Sequence, residues 1–391
     1  MSLDQRLLDV GRRVLDLFAS LKLAMVLLLL LALLTYLGTV AQVEHGLYEA
    51  QQKYFSSYFL IERVGPVPVP LPGANLVLTL LFFNLVVGGM LRLRGGTKKL
   101  GVMVAHLGMA VLLVSGFVEY HERNEGHLTL YEGQSAAYYQ SFYESEIAVS
   151  RALSADEVEE RVVPVGRFEA ARPGAPMRLV DAELPFQIEV THFFGNATPL
   201  PKGPMFEVDV PVVDGVFLRE EPLDPSAETN GPGAYVRVLH DDGREQQGIL
   251  WAFDTAPLTV HAGGERYSVD LRKERYPMPF EVALDDFTKR DHPRTNMPAW
   301  FSSDVTVTDL NGSRDITISM NEPLREAGLV LYQASWGPST ARPGDPLFST
   351  LSVVRNPADA WPLIGCIVVA AGLALHFGTR LWRHVAKEVR A

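Results

Sequence analysis

Apolar residues are unevenly spread along the chain. Residues 21–43, 71–91, 100–119 and 359–382 are near-continuous apolar runs. A bilayer crossing takes about 20 such residues at 1.5 Å each, so each run is a candidate transmembrane helix. Between the third and fourth runs lies a long stretch, 120–358, of ordinary polar composition. Its apolar residues fall in short alternating runs, at 187–190, 235–238, 267–271 and 304–308, separated by Gly, Pro, Asn and Asp clusters. That is the pattern of strands and turns. The expected fold is a membrane protein: four transmembrane α-helices with a large β-rich extracytoplasmic domain inserted between helices 3 and 4.

Charge orients this arrangement. Arg6, Arg12, Arg13 and Lys22 surround the N-terminal segment 1–20, which reads as an amphipathic lead-in. Arg92, Arg94, Lys98 and Lys99 crowd the short loop 92–99. Arg380, Arg383, Lys387 and Arg390 close the last helix and the tail 383–391. Basic short ends face the cytoplasm, so both termini are expected inside and residues 120–358 outside. Residues 23–43 are too long for the apolar core of a signal peptide and lack a clean cleavage site, so they read as an anchor.

Two smaller patterns add detail. In the expected outer loop 44–70, Tyr48, Phe55, Tyr58 and Phe59 recur at helical spacing. They suggest a helix lying on the membrane surface, or alternatively a partner-contact surface. The alternating prolines 68, 70 and 72 are expected to break structure before the second crossing. In the β-rich stretch, residues 184–193 (LPFQIEVTHF) echo residues 278–287 (MPFEVALDDF). Either two related β-subdomains meet near 255–275, or Pro-Phe merely opens two unrelated strands. The Pro/Gly-rich loops 196–204 and 223–234 are expected to be exposed.

Composition narrows the chemistry. A net charge of −11 argues against nucleic acid. The single cysteine, Cys366, lies inside the last apolar run, so the chain has no dithiol of its own. There a thiol behaves as a small hydrophobe. The GxSxG, HExxH and P-loop motifs of common hydrolases and nucleotide enzymes are missing.

The residue that stands out is His106, the ionisable side chain inside the apolar run that Glu119 closes. Such a group is expensive in lipid and therefore a functional candidate. It lies off the small-residue stripe Gly101, Ala105, Gly108 and Ser115, which suits close helix packing. His376 in the fourth run lies at a similar depth and shares a face with Gly365 and Gly372. Two imidazoles at one depth could ligate a haem, so metal: haem iron via His106, with His376 opposite, is one reading. A proton relay or plain packing are the others. His384 lies among basic residues past the membrane and reads as solvated. His192, His240, His261 and His292 lack the spacing of a metal site.

Several segments, in order, resemble the ResB/CcsB family of cytochrome c biogenesis proteins. Ser20-Leu21-Lys22-Leu23, running to Gly38-Thr39 and Gln42, resembles the family's first crossing. Ala105-His106-Leu107-Gly108 resembles its histidine-bearing helix. Gly126-His127-Leu128-Thr129-Leu130-Tyr131-Glu132-Gly133 resembles the strand that opens the outer domain. Asn321-Glu322-Pro323-Leu324-Arg325, with Gly328 to Ser335, resembles its most distinctive outer motif. Arg380-Leu381-Trp382 resembles the end of the last helix.

The resemblance implies a non-catalytic or co-catalytic subunit of a holocytochrome c synthase (system II) in the bacterial inner membrane. It implies that haem b is the transported substrate, that a ResC/CcsA-type membrane subunit is the partner, and that apocytochrome c CxxCH thiols receive the haem. It makes His106 the candidate axial ligand, with the second ligand on the partner. That leaves an intrachain pair with His376 secondary. The five tryptophans are scattered, with none of the partner's Trp-rich segment. A membrane-anchored sensor, or an assembly factor that never touches haem, are the competing classes. A reporter fused after Asn311 should behave as extracytoplasmic and one after Lys98 as cytoplasmic. A cytoplasmic signal at Asn311 would overturn the orientation.

Overall fold

The computed structural model describes residues 3–91, 99–154, 157–203, 207–254, 256–294, 298–338, 340, 342 and 345–389. Arg92, Arg94, Lys98 and Arg390, on which part of the orientation rests, lie outside the described residues. The chain divides into two units, Met1–Asn124 with Arg355–Ala391, and Glu125–Val354.

The first unit holds the apolar runs. Helix α1 is Leu3–Phe18 and α2 is Leu21–Ala50, followed by a π-helical turn at Gln51–Phe55. Strands β1 (Phe59–Val64) and β2 (Val67–Pro72) follow, then α3 (Ala74–Asn84), which continues as a π-helix over Leu85–Leu91. Helix α4 is Leu100–Glu122 and α5 is Trp361–Glu388. Among the described residues, four helical segments are long and apolar enough to cross a membrane: Leu21–Phe55, Ala74–Leu91, Leu100–Glu122 and Trp361–Glu388.

The helix after residue 20 outruns its apolar stretch, and a glycine explains how. Gly46 has φ 79° and ψ 168°, outside the helical region and open to glycine without strain. Were α2 straight, residues 38 and 55 would lie about 25 Å apart at 1.5 Å per residue. Yet a Cβ on Gly38 would stand 2.8 Å from Phe55 Cε2. The chain therefore turns back at Gly46, and Tyr54 is buried with Leu27, Leu34, Leu60 and Val77.

The alternating prolines do not break structure; they form β2. Its register pairs Phe59 with Pro72, Ile61 with Pro70 and Arg63 with Pro68. In an antiparallel pair alternate residues turn their N–H away from the partner. All three prolines fall on one alternation, while Gly73 on the other donates its N–H to Tyr58 O (2.8 Å). The missing donors therefore cost the ladder nothing.

Helix α4 packs on α5 through glycine. Gly101, Ala105 and Gly108 are buried, as are Gly365 and Gly372. A Cβ on Gly108 would lie 2.7 Å from Gly365 O, and one on Gly372 would meet the Ala105 backbone at 2.8 Å. Small residues on both helices bring the backbones together, the usual device where lipid gives no hydrophobic drive.

The second unit is built of strands. They are β3 (Asn124–Tyr131), β4 (Ser135–Ala152), β5 (Val158–Pro164), β6 (Met177–Leu179), β7 (Phe186–Phe194) and β8 (Ala197–Pro201). Next come β9 (Val216–Glu220), β10 (Gly233–His240), β11 (Glu245–Trp251), β12 (Leu258–Ala262) and β13 (Glu265–Asp291). The last are β14 (Pro298–Asp309), β15 (Gly312–Ser319), β16 (Leu324–Glu326), β17 (Leu329–Gly337) and β18 (Phe348–Arg355). One sheet has the order β11-β10-β7-β6. A larger one runs β15-β14-β13-β4-β3-β18-β17-β16, with β12 on β13 and β5 on β4.

Two large cores form in this unit, beside a small cluster of Phe194, Ala197, Leu218 and Tyr235. One gathers Ile147, Val149, Phe186, Ile188, Val236 and Leu271. The other gathers Leu128, Tyr139, Phe280, Val282, Leu331 and Leu351. Strands β4 and β13 serve both, so the change of core falls inside β13, between Leu271 and Met278, with no linker. The two Pro-Phe segments take equivalent roles. Phe186, Ile188 and Val190 point into the first core, and Phe280, Val282 and Leu284 into the second.

The loops expected to be exposed are partly enclosed. Ala197 and residues 230–234 are buried. Asn196 Oδ1 accepts from Gly231 N (3.1 Å) and Asn230 Oδ1 from Asp224 N (2.8 Å). These side chains replace ladder bonds, which lets irregular backbone go inside.

A buried ion cluster ties β13 to β4 and β5. Arg272 Nε donates to Glu146 Oε1 (2.9 Å), and its two terminal nitrogens donate to the two oxygens of Glu160 (2.6 Å each). The Arg272 guanidinium holds the Glu160 carboxyl below the usual carboxylate range. Removing the shared cation strands a buried carboxylate, at a cost of about 3 kcal/mol, the low end for such pairs because Glu160 is partly exposed. Arg272→Met should lower the unfolding free energy of the purified protein by about that much. A loss under about 1 kcal/mol would mean that solvent screens the cluster as it does surface pairs.

Candidate functional site

His106 sits half-buried on α4, two turns from its start. Its Nδ1 lies 2.7 Å from Val102 O, one turn back along the same helix. A carbonyl oxygen can only accept, so Nδ1 carries a proton, and in a neutral ring Nε2 would keep its lone pair. A neutral ring of that tautomer is the form that ligates metals, and the backbone bond orients it.

The π-helix Leu85–Leu91 makes room for this ring. A Cβ on Gly89 would overlap His106 Cδ2 and stand 3.0 Å from Nε2. A Cβ on Gly88 would stand 3.2 Å from Ala19 Cα. Consecutive glycines thus let the segment approach α4 on one side and the α1–α2 junction on the other. The wide turn shifts the helical register by one residue, a feature often found at functional positions.

A cavity of about 550 Å³ opens here, lined by His106, Met109, Leu112 and Leu113 of α4, by Leu81 and Asn84 of α3, by Gly88 and Gly89, and by residues of the 19–28 stretch. Its volume is in the range of small-molecule and cofactor sites. Asn84 is already engaged: its Nδ2 donates to Phe18 O (2.7 Å) and Ser20 O (3.0 Å), holding the break between α1 and α2. Among the described lining residues, His106 Nε2 and the Met109 thioether are the side-chain groups able to ligate a haem iron.

A second cavity, about 510 Å³, shares Leu112 and Leu113 with the first and continues along α3 and α4 past Phe82, Phe83 and Phe117 to Tyr120. Tyr120 Oη donates to Ser56 O (3.1 Å) and Asn75 Nδ2 donates to the same oxygen (2.8 Å), closing that end. From His106 to Tyr120 the rise along α4 is about 21 Å. Sequence reasoning missed this second chamber.

The structure does not bring His376 to His106. The backbone of His376 lies against Gly101 on the α5 side of α4. His106 instead faces Gly89, and His376 is not among the described residues lining either cavity. The His376 ring meets Phe377 (5.2 Å). Cys366 is on an open face of α5, and His384 pairs with Glu388 (3.3 Å) at an exposed site. In the β unit, His192 stacks on Phe194 (5.9 Å), His240 lies 6.4 Å from Phe186, and His261 and His292 are exposed. His127 was overlooked as a chemical candidate.

The motifs of the outer unit prove to be framework. Asn321 to Glu326 turn the chain from β15 into β16, and Gly328, at φ 81°, makes the tight turn into β17. Gln333 is buried: its Oε1 accepts from Ser303 Oγ (2.6 Å) and its Nε2 donates to Ser349 Oγ (2.9 Å). Glu132 accepts from Phe287 N (3.1 Å) and Leu347 N (3.3 Å), closing the β3–β4 turn.

Residues 250–344, which hold this β16–β17 hairpin, match the family model described as the ResB-like family. Over these residues the chain is similar to the ResB-like family. The match supports membership of the ResB/CcsB family and points to involvement in cytochrome c biogenesis. No curated protein matches the chain.

Proposed function

We propose that this chain is the membrane subunit of a system II cytochrome c synthase that carries haem across the bilayer and presents it to apocytochrome c. The observation that carries the reading is the state of His106: Nδ1–H held by Val102 O, Nε2 free, beside a glycine-cleared cavity within apolar helices. Neutral imidazole is a standard axial ligand of haem iron. The porphyrin is flat and apolar, and walls such as Leu112, Leu113 and Met109 suit its faces. A ResC/CcsA-type partner would supply the second axial ligand. The adjoining chamber toward Tyr120 offers haem an apolar path along α3 and α4. With the β unit outside, as the basic short ends suggest, attachment would take place on the far side of the membrane.

His106→Gly in the complex with its partner should cut the haem recovered at least about tenfold, on the scale of lost metal-site interactions. Added imidazole should restore part of it by filling the vacated space. Gly89→Val should produce the same loss with His106 intact, because its side chain occupies the ring's position. Leu107→Ala, turned 100° away on the helix, should change little. His376→Ala should have a weak effect. Absorption spectra of the purified complex and cytochrome c yield measure all five. Wild-type haem content in both His106→Gly and Gly89→Val, with normal protein in the membrane, would remove the ligand role and favour an assembly factor.

A further inference from the structure

The β1–β2 hairpin has one inward and one outward face. Phe59 and Ile61 of β1 keep 75% and 65% of their surface open, and Arg63 is exposed too. The register sets these three opposite Pro72, Pro70 and Pro68, and directly paired residues share a face. Leu60 and Leu71, on the other alternation, turn inward and join the cluster of Leu34, Tyr54 and Val77. Glu62 turns the same way: its carboxylate accepts from Tyr54 Oη and pairs with Lys53 Nζ (2.9 Å). The outward face therefore carries Phe59, Ile61 and the prolines, with Arg63 as its charge.

The depth of this face follows from the helices beside it. From Leu21, where α2 begins, to Gly38 the rise is about 25 Å. The Phe55 ring stands against Gly38, so the chain has come back to that level shortly before β1. Pro72 ends β2, and α3 starts at Ala74. Leu21–Phe55 and Ala74–Leu91, on the two sides of the hairpin, are both long and apolar enough to cross a membrane. The hydrocarbon core of a bilayer is about 30 Å thick. The Phe59–Pro72 pair therefore sits where that core gives way to ester and phosphate groups. Arg63 lies about 13 Å further along β1, at the usual strand rise.

The prolines suit that level for a second reason. Backbone N–H groups on the bare edge of a hairpin need acceptors, and an apolar medium offers none. Pro68, Pro70 and Pro72 fall on the alternation that turns away from β1, so this edge of β2 presents no N–H at those positions. At the base, the Tyr58 carbonyl accepts from Gly73 N (2.8 Å). On β1 the Arg63 N–H donates to Glu62 Oε1 (3.3 Å). That leaves the outward N–H groups of Phe59 and Ile61 to acceptors outside the hairpin.

We propose that the outward face of this hairpin rests in the phospholipid leaflet at that end of α2. Phe59, Ile61 and the prolines enter the zone of upper acyl chains and glycerol esters, whose oxygens accept from the Phe59 and Ile61 N–H groups. Arg63 extends beyond them to a lipid phosphate, as a cation near a membrane surface does. An aromatic and apolar stretch followed by a cation matches the change of polarity across a monolayer. With Glu62 turned inward and paired, no acid on this face opposes the phosphates. The surface-lying element is thus a hairpin, in place of the helix that the aromatic spacing of 44–70 suggests. The proposal is independent of haem handling at His106.

Nitroxide labels on the full-length protein, in vesicles of phosphatidylcholine and phosphatidylglycerol, test it. Cys366→Ala removes the single cysteine, and Phe59→Cys, Ile61→Cys or Arg63→Cys then places one label on the face. Oxygen concentrates among acyl chains and a nickel chelate stays in water, so the ratio of their collision rates reads depth. Leu29→Cys, exposed on α2, sets the lipid value, and Leu310→Cys, fully exposed at the β14–β15 turn, sets the water value. The ratio at 59 and 61 should lie near the lipid value, and at 63 it should fall toward that of water. A water value at 59 and 61 would overturn the proposal. So would low collision rates with both reagents there, the sign of a face covered by protein. Should the cysteine variants not insert, the wild-type protein decides: a diazirine on the upper acyl chain of phosphatidylcholine should label Phe59 or Ile61. Absence of label from both residues would overturn the proposal.

Discussion

Backbone approach through glycine is the constraint on which the helical unit depends. Lipid gives helices no hydrophobic reason to associate, so contact distance and shape must hold them. On one side of α4, Gly101 and Gly108 meet Gly372 and Gly365 of α5 backbone to backbone. Another side carries His106 against Gly89, and Gly88 reaches the α1–α2 junction. The first contact excludes every side chain larger than hydrogen. The second excludes one side chain at Gly89 so that a larger one, the imidazole, has a place. Packing and site are thus two uses of the same device on one helix.

The β unit solves a different problem, joining two cores without a linker. Strands β4 and β13 run through both, so neither core has a boundary where the chain can come apart. Continuous strands would normally carry one alternation from end to end. The bulge at residues 141–144 resets it, adding residues on β4 that β13 does not match. Arg272 then binds Glu146 and Glu160 on the first-core side of the reset, and Tyr139 packs near Tyr276 on the other (5.3 Å). Polar satisfaction and aromatic packing each secure one flank.

What the sequence made legible follows from range. The apolar runs, the strand alternation and His106 all show in local spacing. So did the α4 stripe, because small residues at helical intervals point to a packing face. The turn at Gly46 was hidden, since one glycine near the end of an apolar run reads equally as a tolerated helical residue. Proline read as a breaker at 68, 70 and 72 because the edge alternation that tolerates it depends on the partner strand. Gly88 and Gly89 carried no signal in themselves; their meaning is the ring they face on another helix.

The tautomer of His106 is where helix geometry and chemistry meet. Along a helix the carbonyl of residue i−4 is normally committed to the N–H of residue i, yet it keeps a second lone pair. His106 Nδ1 uses that lone pair on Val102, so the imidazole is oriented without a neighbouring carboxylate. A carboxylate partner would orient the ring too, but would bring a charge into the lipid and raise the basicity of the ligand. A backbone carbonyl orients the ring while keeping both partners neutral. An imidazole held this way would be a ligand of ordinary strength, which suits the proposed passage of haem, where iron is bound and then released.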